Sequence, residues 1–493
     1  VAPNWYTLII FVSYLVFTTL LGLWQTRRIK SSRDYAVTKM PVWQAAAFLS
    51  GFTLGGGSTY GIAGDSVKFG LTYLVWFPFS VALGWWLTGL LFARPYYRMG
   101  GVTLPTLLSQ RFDGRTRLVT SLSTMLYALF VLLMEIYALA TVIQAVLPAL
   151  TFPQATLISF FVSVGSVAFS GMLGSSVTNL VHSGVILASF AVTLAVLWGI
   201  VGGPAAAFER VVAILPEVAH PGVDARVWLS ITGLGWGTVG QLLIGKAGRI
   251  GGTSVVSNLA ASCRSEGKAV EAFMLAGCIS GIPPLLAGMV GVFTAALLGG
   301  RMADLPVYTS IGIAVVQTSP VLAGFLLAAI GAAILAAFGP IAITISTVLL
   351  EDIIAPVAHV TERQRRFWYP AIVVIVSTLA AIYTAIWGIK DILPFIYRTA
   401  FPTMIPPTMV AAAGIYSGRV SARAAFWSIA LAVPAALCWG LLLHDPWGIH
   451  NIYISLLIPL AILGFSAIIP RVPAPRVQEW LAKVRTPGTS AEQ

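Results

Sequence analysis

The stretch Phe48-Leu-Ser-Gly-Phe-Thr-Leu-Gly-Gly-Gly-Ser-Thr-Tyr-Gly-Ile-Ala-Gly-Asp65 decides the reading of this chain. It lies in an apolar run long enough for a membrane helix, yet Gly55, Gly56 and Gly57 interrupt its middle. Each glycine weakens a helix by about 1 kcal/mol relative to alanine. In hydrocarbon an unwound backbone is tolerated only where protein buries it or a wet cavity faces it. Such a break is expected where a solute or an ion meets bare peptide groups.

Composition places that run in a bilayer. The chain is 58% hydrophobic and 9% charged, against roughly 25% charged residues in soluble domains. Apolar runs near 5–24, 42–66, 71–93, 119–147, 155–172, 176–201, 227–246, 270–298, 318–350, 367–388, 392–416, 423–443 and 451–470 predict about thirteen membrane helices. The first, Trp5 to Trp24, reads as a span and not a cleaved leader. Cys263, Cys278 and Cys438 show neither metal-ligand spacing nor a disulfide framework.

The net charge of +12 is a matter of topology, not of nucleic-acid binding. With the N-terminus outside, 23 of the 29 Lys and Arg residues fall in inside loops or the tail, Lys246 and Arg249 among them. Lys68, Arg210, Arg226, Arg301, Lys390 and Arg398 fall elsewhere. The positive-inside rule then gives N-out and C-in, and a plasma (bacterial inner) membrane is the expected location.

A second glycine-rich span, Ile231-Thr-Gly-Leu-Gly-Trp-Gly-Thr-Val-Gly-Gln241, is the seventh, five after the first interrupted one. Two five-helix halves must sit in opposite orientation, because five is odd. Broken helices at matching places in such halves mark an inverted-repeat transporter with its site near the midplane. The expected organisation is a first peripheral helix (1–30), a core (31–418), two further peripheral helices (419–470) and a polar tail (471–493). Within the core, repeat one covers about 42–201 and repeat two about 227–416.

The segment Gly55-Gly-Gly-Ser-Thr-Tyr-Gly-Ile-Ala-Gly-Asp-Ser-Val-Lys-Phe-Gly-Leu71 resembles the broken helix of the sodium/solute symporter family, which includes the sodium–proline and sodium–galactose carriers. Thr103-Leu-Pro-Thr-Leu-Leu-Ser-Gln-Arg-Phe112 is similar to its cytoplasmic loop signature. Ser170 to Asn179 with His182, Gln241, Ala261 to Ala269, and Ala336-Ala-Phe-Gly-Pro followed by Ser346 to Asp352 follow in the family's order. The resemblance covers about residues 30–430 and implies an all-α LeuT-type core with five-plus-five inverted repeats.

It also implies a sodium site that this chain lacks in part. In the family two hydroxyls on the ninth helix and carbonyls of the broken second helix hold the ion. The hydroxyl positions fall on Ala336 and Ala337, opposite Thr53 and Gly56. Sodium is a hard cation and a methyl offers it no oxygen. The site is expected to be degraded, with a proton as the possible coupling ion and no cofactor.

Charged groups in the spans are the remaining candidates. Glu135 stands mid-span in Leu132-Leu-Met-Glu-Ile-Tyr-Ala-Leu139. A carboxyl there must be protonated, paired or facing water. It is expected to couple protons or meet a cation; the plainer alternative is a neutral acid bonded to a neighbouring helix. Arg398 could grip a substrate carboxylate, snorkel to the outer interface or pair with Glu135. Asp65 and Lys68 read as a helix-end pair or gate. His182 reads as a hydrogen-bonding group with a possible proton role. The candidate substrate site comprises Gly55, Gly56, Gly57, Ser58, Thr59, Tyr60, Tyr137, Trp236, Gln241 and Arg398, with Glu135, Asp65 and His182 for protons.

The expected function is a secondary transporter importing a small polar solute, a carboxylate or zwitterion, by alternating access. It is expected to be proton-coupled or sodium-independent, and a monomer should suffice. Sodium symport through altered ligands is the alternative, and a non-transporting membrane sensor is the alternative of another class. The absence of a Walker loop and of a nucleophile elbow argues against an ATP-driven pump or an enzyme.

Overall fold

The computed structural model describes residues 4–29, 31, 35, 37, 39–101, 103–302, 319–389 and 391–486, so Lys30, Arg33 and Lys390 lie outside the described residues. Those described residues are all helical or irregular, with no strand. Among them, nine helices are long and apolar enough to cross a membrane. The other apolar stretches are short or interrupted, which is why length alone does not count them.

Helix α1 (Trp5–Gln25) is followed by α2 (Val42–Thr53), a π-helical turn (Gly57–Gly61) and α3 (Ile62–Phe69). Then come α4 (Leu71–Leu91), α5 (Ala93–Met99), α6 (Leu104–Arg111) and α7 (Gly114–Val146). Gly70 turns α3 into α4 with φ +69°, and a Cβ there would stand 2.1 Å from the Trp228 carbonyl oxygen. Asp113 starts α7 by accepting from the Thr116 N–H at 2.8 Å, an N-cap that satisfies a donor the helix leaves open. Helices α8 (Phe152–Val167) and α9 (Gly171–Val201) complete the first half.

The chain then forms α10 (Pro204–Ala213), a short surface helix. It continues with α11 (Gly235–Ile250), α12 (Ser254–Ser262), α13 (Glu266–Ser280) and α14 (Ile282–Leu298). Helices α15 (Pro320–Thr347), α16 (Glu362–Trp387), α17 (Ile392–Arg398) and α18 (Ala400–Tyr416) follow. Outside the core lie α19 (Ala422–Ala430), α20 (Asn451–Ile468) and α21 (Pro475–Arg485).

Burial orders the layers. Of the most apolar window around α15, 83% is buried, against 28% in α1 and α16. Helix α15 is therefore the spine, packed by α9, α7, α1 and α2, while α1 and α16 present apolar faces outward, as lipid-facing helices do. Helix α11 packs between α4 and α18, and α18 against α7. The broken segment between α2 and α3 is thus enclosed by α7, α11, α15 and α17.

The seventh span differs from its sequence-based expectation. The glycine-rich stretch 233–240 supplies the start of α11, and Gly237 and Gly240 lie within the helix. The interruption falls at Gly251–Thr253, between α11 and α12, where i→i+3 bonds (Gly252 N–H to Arg249 O, 3.3 Å; Thr253 N–H to Ile250 O, 3.2 Å) replace the helical ladder. Lys246 and Arg249 are consequently inside the span, 3% exposed each, and not in a loop. Their charges made the apolar run look as though it ended at 246.

Candidate functional site

At the first break the freed backbone groups are met locally. The Ser58 hydroxyl donates to the Thr53 carbonyl at 2.5 Å, and the Thr59 hydroxyl to the Gly55 carbonyl at 3.3 Å. The Gly56 N–H donates to Glu135 Oε2 at 2.9 Å, from the middle of α7. Gly55 makes this approach possible, since a Cβ there would stand 1.8 Å from Glu135 Oε1. Glu135, 1% exposed, has the unwound backbone as partner, and a buried carboxylate needs such a donor.

Across from it stand the two cations of α11. Lys246 Nζ donates to Ser58 Oγ at 3.0 Å and lies 4.6 Å from the Phe77 ring centroid. This bond ties the second broken span to the first. The Arg249 guanidinium donates to the Tyr127 hydroxyl and stacks over Phe401 at 4.3 Å. Arg249 Nε is buried with no hydrogen-bond partner. Glu135, Lys246 and Arg249 line one cavity of about 20 Å³ with Thr53, Ser58 and Tyr127. That is room for about one water among these polar groups. Its apolar wall comes from Phe52, Val131, Met134, Leu393, Ile396 and Phe401.

Of the residues singled out from the sequence, Gly55, Gly57, Ser58, Thr53 and Glu135 line this cavity, and Gly56 touches it through its N–H. Thr59 caps the break from behind. Tyr60, Tyr137 and Gln241 do not line the cavity; Tyr137 packs against Phe152, ring centroids 5.4 Å apart. Trp236 is 71% exposed at the start of α11, its ring tilted against Trp76 with centroids 6.3 Å apart. Arg398 bonds Asp445 Oδ2 at 2.9 Å and reaches neither the cavity nor Glu135. His182 lies between α9 and α1, its Nδ1 2.6 Å from the Tyr14 hydroxyl. Asp65 is buried in α3 but does not line the cavity, and Lys68 pairs with Asp391 (3.6 Å) instead of Asp65.

Sequence reading missed Lys246 and Arg249. The available signal was their spacing: three residues apart, on one helical face, immediately before Gly251-Gly252. Ala336 faces α2, since a Cβ on Gly51 would lie 3.3 Å from its methyl. Its carbonyl accepts from Asn179 Nδ2 at 3.1 Å, so that oxygen already has a donor.

A family model described as "Sodium:solute symporter family" matches residues 35–431. No curated protein matches by sequence. Among solved structures the chain is similar to a Na+-coupled sialic acid symporter in a substrate-bound outward-open state, with 17% identity, TM-score 0.75, and 94% of this chain and 97% of that one covered. It is also similar to a nucleobase-cation-symport-1 family transporter in a closed conformation with bromovinylhydantoin bound (13% identity, TM-score 0.59, 92% and 98% covered). A third is an Eremococcus coleocola manganese transporter (14% identity, TM-score 0.52, 92% and 98% covered). At these identities the likeness is one of fold, the LeuT type.

Proposed function

We propose that this chain, which belongs to the sodium:solute symporter family, carries a small organic carboxylate together with a proton and without sodium. That it is a multi-pass secondary transporter of a small solute, and not an enzyme, follows from the family and the fold. One observation carries the finer reading. The cavity holds two cationic side chains and one carboxylate, and Arg249 keeps a buried N–H unused. Burying an unpaired charge costs several kcal/mol, so an anion is the missing partner. A guanidinium and a carboxylate suit each other in shape as well as charge.

The rest of the wall narrows the solute. Phe52, Val131, Met134 and Phe401 offer an apolar body site, and among the described residues no Asn, Gln or His side chain lines the cavity. A monocarboxylate with a short apolar body fits this chemistry. A zwitterion would set its ammonium at Glu135. Glu135 is the one carboxylate among the described residues that line the cavity, so protonating it favours an incoming anion; by linkage the anion favours the proton equally. Proton and anion then travel together. Sodium is not needed in this scheme: Ala336 and Ala337 offer methyl side chains in place of hydroxyls, and the Thr53 carbonyl already accepts from Ser58.

The test is uptake into proteoliposomes of a radiolabelled panel of 2-oxo and 2-hydroxy monocarboxylates and neutral amino acids. Choline replaces sodium, with and without an inward proton gradient. We expect saturable uptake that the gradient accelerates and sodium leaves unchanged. A saturable requirement for sodium over potassium would return the chain to sodium symport. Tight binding with no uptake would make it a sensor.

A further inference from the structure

We infer that a groove on the outer side of α11 binds an anionic phospholipid, its acyl chain against the second break and its headgroup at Arg94. The groove, about 350 Å³, is bounded by α4, α11, α18 and α20. On α11 it uses Leu243, Ala247 and Gly248, the face turned away from Lys246 and Arg249, and at the joint after it Gly251. Leu87 and Leu91 line it and are 39% and 40% exposed, so it opens sideways onto the apolar belt. Of its hydroxyls, Thr408 is already committed to the carbonyls of Arg249 and Met404.

Size and charge select the occupant. A chain of about ten methylenes, each near the ~30 Å³ share of a liquid water, fits. The groove ends at Leu91, whose carbonyl accepts from the Tyr416 hydroxyl at 2.7 Å. Three residues further along the chain comes Arg94, exposed on α5 and, like Arg98, within electrostatic reach of Glu266, while Arg485 of α21 donates to the neighbouring Ile415 carbonyl at 3.1 Å. Arg98 on the same helix is held by Glu266 at 2.8 Å and 2.9 Å. An anionic headgroup above a single apolar chain meets both requirements. Because the chain would pack on Gly248 and Gly251, its presence bears on the joint where α11 ends.

The experiment is native mass spectrometry of the full chain in detergent, titrated with dioleoyl phosphatidylglycerol or dioleoyl phosphatidylcholine. Leu87→Trp and Ala412→Trp, made separately, fill the groove from two helices, and Arg94→Ala removes the headgroup contact. Melting temperatures within a few degrees of the unmodified chain show that each variant is folded. Phosphatidylglycerol should be retained several-fold over phosphatidylcholine and lose that retention in both tryptophan variants. Arg94→Ala should lower it about five-fold, the effect of one basic residue at a membrane surface. Equal retention of the two lipids, or phosphatidylglycerol retention undiminished by both tryptophans, overturns the assignment.

Discussion

The two interrupted spans use glycine to admit different things. Between α2 and α3 it admits a carboxylate: Gly55 clears the space that Glu135 fills, and Gly56 offers its N–H. Between α11 and α12 it admits neighbouring helices. A Cβ on Gly252 would meet Thr408 Oγ1 at 2.3 Å, and one on Gly251 the Phe92 ring at 2.5 Å. The first break puts bare backbone into the site. The second puts none there; it positions the turn of intact helix before it, from which Lys246 and Arg249 project. Inverted halves therefore share a break without sharing what the break contributes.

The sharpest way to test that division is to remove a cation. Arg249→Ala should weaken carboxylate binding by on the order of 100-fold, as truncating a buried charged partner costs about 2–5 kcal/mol, read as a binding isotherm in detergent. An unchanged affinity would return the anion site to bare backbone. Next in size are the glycines. Gly55→Ala should lower stability by about 3 kcal/mol and Gly252→Ala by about 2 kcal/mol, through overpacking. Gly237→Ala has open space and a helical setting, so it should stabilise by up to about 1 kcal/mol. Thermal melts of the three variants decide where the second break lies.

Glu135→Gln keeps an oxygen for the Gly56 N–H and should fold nearly as well as the unmodified chain. Its uptake should no longer rise as pH falls on the substrate side. The sign follows from charge: a proton on Glu135 makes the cavity more positive and better for an anion. The smallest effect belongs to Arg398→Ala. It removes the half-exposed partner of Asp445, whose own side chain is 8% exposed, and should leave carboxylate affinity within two-fold.

The first break was readable because three consecutive glycines in an apolar run favour unwinding over close packing, the other use of glycine in membrane helices. Glu135 was readable because a carboxyl stands out among leucines. The second break was misplaced for a physical reason. Hydropathy treats Lys246 and Arg249 as the end of a span, whereas in the fold a serine hydroxyl, a tyrosine hydroxyl and aromatic faces receive them. Arg398 could not be assigned, because its partner Asp445 lies 47 residues away along the chain. Trp236 was drawn into the site by its neighbours in sequence; the fold sets it at the surface, beyond the turn that starts α11.

The bond from Lys246 to Ser58 has a thermodynamic consequence. A diffusing cation that binds on one side and departs on the other lets its gradient drive uphill accumulation. A cation fixed to the polypeptide returns with it every cycle, so its net displacement is zero and no gradient acts through it. Such a group can tighten the hold on a solute and steady the closed form, but it adds nothing to the steady-state ratio across the bilayer. Whatever concentrating power this protein has must come from species that enter and leave, and external salt has no purchase on the one that stays.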